Sequence, residues 1–188
     1  SYGLSGGAVL HEDGLTLSQP LGNTNILVKA PDASYVAIRN HKGVETDRRG
    51  YAVVPYATPY QTNRVELDVI TAGEKVEIAH SVVQSTPGEG ALSRAEFTTR
   101  VGMKAVFFLS RAGRALPFGT VVSVADEKQN TGIVGDNGSV YLSGLSREGK
   151  IVARWGNGAT ETCVVDYRLE ERYHNPQTGL WNQELVCH

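Results

Sequence analysis

At 188 residues the chain has room for one large or two small domains, and its 40% hydrophobic and 20% charged content is that of an ordinary globular protein. No apolar run approaches the roughly 20 residues that a membrane-spanning helix needs, which excludes a helical span. The formal charge of −2, from 18 basic and 20 acidic residues spread along the chain, leaves no electropositive stripe to follow a phosphate backbone, so nucleic acid is excluded as a partner.

The first residues carry no charged start, apolar core and small-residue cleavage site, as in a mature protein or an excised fragment. Residues 2–10 place Tyr2, Leu4, Ala8 and Leu10 on one side and Gly3, Ser5 and Gly7 on the other. A strand of about 9–11 residues with alternating faces and an aromatic near one end suits a transmembrane barrel, and an ordinary sandwich strand shares the pattern.

Short alternating or β-branched runs follow at 25–30, 34–39, 51–55, 63–69, 92–101, 104–110, 120–125, 139–143, 150–155 and 161–168. Gly, Asn, Asp and Pro separate them and no helical period appears, so the spacing predicts an all-β chain of about ten strands. Asp136-Asn137-Gly138 and Gly156-Asn157-Gly158 supply residues that tolerate positive φ and read as hairpin tips. Asn137-Gly138-Ser139 also fits a glycosylation acceptor, but a tight turn demands the same Asn-Gly pair.

Ser85-Thr86-Pro87-Gly88-Glu89-Gly90 is the one stretch of Pro, Gly and small polar residues without an apolar side chain, and the domain boundary is predicted there. The expected organisation is therefore an opening strand and exit at 1–17, a sandwich at 18–87 and a second sandwich at 88–188.

The two cysteines, Cys163 and Cys187, are too far apart for a redox Cys-x-x-Cys pair and too few for a zinc site of their own. A single disulfide is the simplest reading, and two buried thiols are the alternative. Closing a 24-residue loop in this way should stabilise the fold by about 3 kcal/mol and requires an oxidising compartment such as the periplasm.

His11, His41, His80, His174 and His188 are scattered without metal-ligand spacing, so neither a metal nor a cofactor is expected. No Gly-x-Ser-x-Gly elbow, phosphate-binding loop or Cys-His signature appears. The paired acids Asp126-Glu127 and Glu170-Glu171 adjoin Lys128 and Arg172 and read as solvated loops, so the chain is not expected to be an enzyme.

In the first half, Asp47-Arg48-Arg49-Gly50-Tyr51-Ala52-Val53-Val54-Pro55-Tyr56 is followed by Tyr60 and by Asn63-Arg64-Val65-Glu66-Leu67-Asp68. Further on come Arg94-Ala95-Glu96-Phe97, Arg100-Val101-Gly102, Leu116-Pro117-Phe118-Gly119, Gly132-Ile133-Val134-Gly135-Asp136-Asn137-Gly138 and Val140-Tyr141-Leu142-Ser143-Gly144. In order and spacing these closely resemble the C-terminal region of the fimbrial outer-membrane ushers, nearest to those of type 1-like fimbriae. Residues 170–188 depart from the pattern, and no element is predicted in them.

The resemblance implies two small Ig-like, Greek-key β-sandwich domains in tandem, preceded by the last strand of the outer-membrane β-barrel. It places both domains in the periplasm at the cell outer membrane. The implied partners are periplasmic chaperone–pilus subunit complexes and the rest of the usher: barrel, plug and N-terminal domain.

Tyr56, Pro59 and Tyr60 lie in a loop between two strands, where large rings cannot all be core, and are the expected partner contact; a cap on the end of the core is the competing reading. Leu116-Pro117-Phe118-Gly119 is expected to bury its ring at an edge turn, and Trp155 to be core. A free-standing carbohydrate-binding or adhesion sandwich is the alternative function, and would need a face bearing Trp155 and Trp181.

Overall fold

The computed structural model describes all 188 residues, almost entirely as strands and turns. The chain divides into two compact units, residues 1–100 and 101–188.

In the first unit β1 (Gly7–His11) and β2 (Gly14–Ser18) form an antiparallel hairpin of their own. Next come β3 (Asn25–Lys29), β4 (Tyr51–Val54), β5 (Asn63–Glu66), β6 (Val76–Ile78), β7 (Val82–Ser85) and β8 (Leu92–Glu96). β3 pairs antiparallel with β4 and parallel with β8, and β5 pairs antiparallel with β7. Ile26, Val28, Ala52, Val54, Val65 and Ala95 meet in one core, as period-two alternation dictates.

The division at Arg100/Val101 differs from the boundary expected at 85–90. Register pairs from Asn25↔Leu92 to Lys29↔Glu96 tie β8 to the first unit, so the Pro-Gly stretch is a loop within that unit. Residues 34–39, expected as a strand, make only isolated bridges at Ala37 and Ile38. Tyr35 there has φ 56°, outside the strand region.

β9 (Thr99–Val101) stands at the division. The second unit then builds β10 (Met103–Arg111), β11 (Arg114–Ala115), β12 (Val121–Val124), β13 (Glu127–Ile133), β14 (Ser139–Leu145), β15 (Glu148–Arg154), β16 (Thr162–Arg168), β17 (His174–Asn175) and β18 (Leu180–Cys187). One sheet runs β11-β10-β18-β17 with β14 also on β10; the other runs β13-β12-β15-β16. Phe107, Leu109, Leu142 and Trp181 from the first sheet pack with Val122, Ile151, Ala153 and Tyr167 from the second, which makes the unit a sandwich.

The tail at 170–188, left without an element by its sequence, supplies β18, an interior strand. It runs parallel to β10 from Ala105↔Trp181 to Arg111↔Cys187 and buries Trp181, Leu185 and Cys187. Cys163 on β16 and Cys187 on β18 form the disulfide, which therefore joins the two sheets.

Asp136–Gly138 is not a hairpin tip, because β13 and β14 lie in different sheets and the turn carries the chain between them. Glycine is required at 138, where φ is +73° and a Cβ would collide with the Leu109 carbonyl oxygen. Gly156-Asn157-Gly158 does close a hairpin, between the antiparallel β15 and β16.

Candidate functional site

Three loops meet at one end of the first unit: residues 20–24 before β3, 55–62 between β4 and β5, and 86–90 before β8. Backbone bonds hold them together. Ala57 N donates to Thr24 O at 2.8 Å and Tyr60 N donates to Pro87 O at 2.8 Å. The Asn63 amide staples the middle loop to itself: it accepts from Thr58 N at 2.9 Å and donates to Thr58 O at 2.8 Å and Gln61 O at 2.9 Å.

On this scaffold Tyr56 and Tyr60 stand 70% and 74% exposed, and Pro59 between them is half-buried. Their rings do not cap the core. Both tyrosines sit in the left-handed region, at φ 59° and 57°, where a side chain with a Cβ costs about 1–2 kcal/mol. The backbone bonds from Ala57 and Tyr60 offset that cost and fix the loop. The Tyr56 ring lies against Gly22, where a Cβ would come within 2.6 Å of its Cδ1. Fixed aromatic rings lose little entropy when a partner covers them.

A second apolar feature lies on the second unit, where Leu116-Pro117-Phe118-Gly119, expected to bury its ring at an edge turn, exposes it instead. Pro117 to Thr120 form a turn in which Thr120 N donates to Pro117 O at 3.2 Å and Gly119 has φ +87°. Phe118 therefore occupies the projecting corner of a type II turn and is 79% exposed, whereas Leu116 is the buried residue of the motif. Phe118, Val121 and Trp155 line a shallow cleft of about 330 Å³, and Ile133, the cross-strand neighbour of Val121, is 68% exposed. The one signal available was Gly119 itself, which marks the turn position that follows an outward-pointing residue.

Trp155 packs its half-buried ring on the core and Trp181 is 3% exposed, so the two do not form an open sugar platform. Nowhere do three or more His, Cys, Asp or Glu gather into a group that could hold a metal ion.

Residues 1–97 match the family described as outer membrane usher protein, and residues 106–171 match the family described as PapC C-terminal domain. The chain belongs to the outer membrane usher family. It is 51% identical over 168 residues to the outer membrane usher protein FocD of Escherichia coli, covering 89% of this chain and 19% of FocD. It is 48% identical over 171 residues to the outer membrane usher protein FimD of Salmonella typhimurium, covering 91% of this chain and 20% of that protein. Among solved structures it resembles a chain of the E. coli P pilus tip assembly intermediate PapC–PapD–PapK–PapG in its second conformation, determined by cryo-EM. There the TM-score is 0.60 and the identity 26%, covering 97% of this chain and 22% of that one. The chain spans about one fifth of the length of the curated relatives it matches.

Proposed function

We propose that this chain is the C-terminal portion of a fimbrial usher, whose two sandwich units face the periplasm at the outer membrane and bind chaperone–subunit complexes during pilus assembly and export. Its role is to hold and hand on; it performs no catalysis. Membership of the usher family carries the reading, and the exposed Tyr56–Tyr60 pair on a pinned loop supplies a contact with the right character. A handover surface must hold a complex and then release it, which suits a modest apolar patch with a few aromatic anchors. The Phe118 cleft offers a second patch of the same kind.

Residues 1–17 we assign to the end of the barrel and its exit into the periplasm. Tyr2 and Leu4, fully exposed ahead of β1, have the apolar character that a barrel strand needs, and the β1–β2 hairpin that follows is the exit. The rest of the usher is then a partner covalently joined to this region.

The test is fimbriation of cells whose usher carries Tyr56→Ala and Tyr60→Ala together. Surface fimbriae should fall by about tenfold or more, as expected when two anchor rings are lost, while usher abundance in the outer membrane stays at the wild-type level. Normal fimbriation by the double variant would remove the tyrosines from the contact.

A further inference from the structure

The β1–β2 hairpin pairs its strands with no other sheet, and a two-stranded hairpin alone is marginally stable in water. What holds it lies on the first unit. Val9 and Thr16, on its inner face, are buried, and Val9 packs with Leu27, Tyr51 and Val53. Those three side chains leave β3 and β4 on the side opposite the core residues Ile26, Val28, Ala52 and Val54. The hairpin is thus a third layer over a strip that would otherwise be exposed.

The apolar seal is small, and the polar pins are concentrated at the turn. Asp13 Oδ2 accepts from Lys29 Nζ at 3.0 Å and from Tyr51 OH at 2.8 Å. Arg49 donates to the carbonyl oxygens of Asp13 and Leu15 and lies 5.1 Å from the Tyr51 ring centroid. His11 stacks on the same Tyr51 ring, centroid to centroid 4.8 Å, and shares a 2.8 Å hydrogen bond with Thr16 Oγ1. Glu12 pairs with Arg94 at 2.6 Å. Bonds from Lys29 and then Tyr51 hold the Asp13 carboxyl below its ordinary pKa, which marks the ionised carboxylate as the form the closed arrangement favours.

We propose that β1–β2 is a releasable strap, latched at its turn by Asp13, Lys29, Tyr51 and Arg49, whose opening uncovers Leu27, Tyr51 and Val53 without unfolding the sandwich beneath. The core below is complete without it: its members come from β3, β4, β5, β8 and their loops, and none from the hairpin. One isolated layer, one buried valine and a cluster of charge-assisted bonds are the ingredients of a local opening unit rather than of a cooperative core strand.

Amide hydrogen exchange on the full chain tests this, with Tyr51→Phe, which keeps the ring and removes only the hydroxyl, and Asp13→Ala. In the native protein the β1–β2 amides should exchange faster than those of β3, β4 and β8. In either variant β1–β2 exchange should rise by about tenfold, as loss of a charge-assisted bond requires, while β3, β4 and β8 stay at native rates. A rise in binding of an environment-sensitive apolar dye should accompany it. Hairpin exchange that is unchanged in both variants, or that rises only in step with β3, β4 and β8, would overturn the strap.

Discussion

Removal of residues 180–188 unfolds the second unit and leaves the first folded. β18 pairs with β10 at seven consecutive positions and lies inside its sheet, between β10 and β17. Its loss strips Trp181 and Leu185 from the core, each contributing about 2 kcal/mol by burial, and abolishes the disulfide, which contributes about 3 kcal/mol. It also leaves the β10 backbone edge unpaired, with donors and acceptors that the fold had satisfied. Domains of this size hold only about 5–15 kcal/mol in total, so a loss of that order leaves no stable second sandwich. Limited proteolysis should yield a resistant fragment ending near residue 100, with no protected fragment beyond it. A protected second unit after the truncation would show that β18 is an accessory.

The disulfide gives the second large effect. Cys163 and Cys187 are 4% and 2% exposed and close a loop of 24 residues between the two sheets. Replacing both by alanine should lower the stability of the second unit by about 3 kcal/mol, chiefly because the unfolded chain regains the freedom the bridge removed. In a urea titration the first-unit transition should stay in place, and the second-unit midpoint should fall by about 1–2 M for a typical slope. Reduction of the native chain should reproduce the shift. An unmoved second-unit midpoint would mean that burial of Trp181 and Leu185 alone secures β18.

Strand after strand was legible where one face is buried and the other is not. Met103–Arg111 alternates almost without a break, and its core members Met103, Ala105, Phe107 and Leu109 can be read off directly. Glu127–Ile133 is not legible, because it is an edge strand with one buried residue, Asn130, and therefore has no apolar period. Leu180–Cys187 does alternate, but its inward set is Trp181, Gln183, Leu185 and Cys187, in which a glutamine interrupts the apolar period. The misplaced boundary has a different cause. A Pro-Gly stretch reports a turn, and only the non-local parallel pairing of β3 with β8 shows which unit owns that turn.

At the candidate site, exposure of Tyr56 and Tyr60 followed from their place between two strands. The positive φ of both residues, and the Thr24 and Pro87 carbonyls that accept their loop's backbone bonds, come from segments distant in sequence and leave no local signal. Phe118 went the other way, because Pro and Gly around a ring suit a buried edge turn as well as a projecting one. Which of the two forms was settled by Leu116, which fills the core position instead.

The most direct test of the usher reading is calorimetric titration of the purified chain with a cognate chaperone–subunit complex. Micromolar or tighter affinity is expected, about −8 kcal/mol or stronger, with Tyr56→Ala or Tyr60→Ala each weakening it by about tenfold or more. No measurable heat of binding with cognate complexes, from a chain whose two units are both folded, would contradict the account.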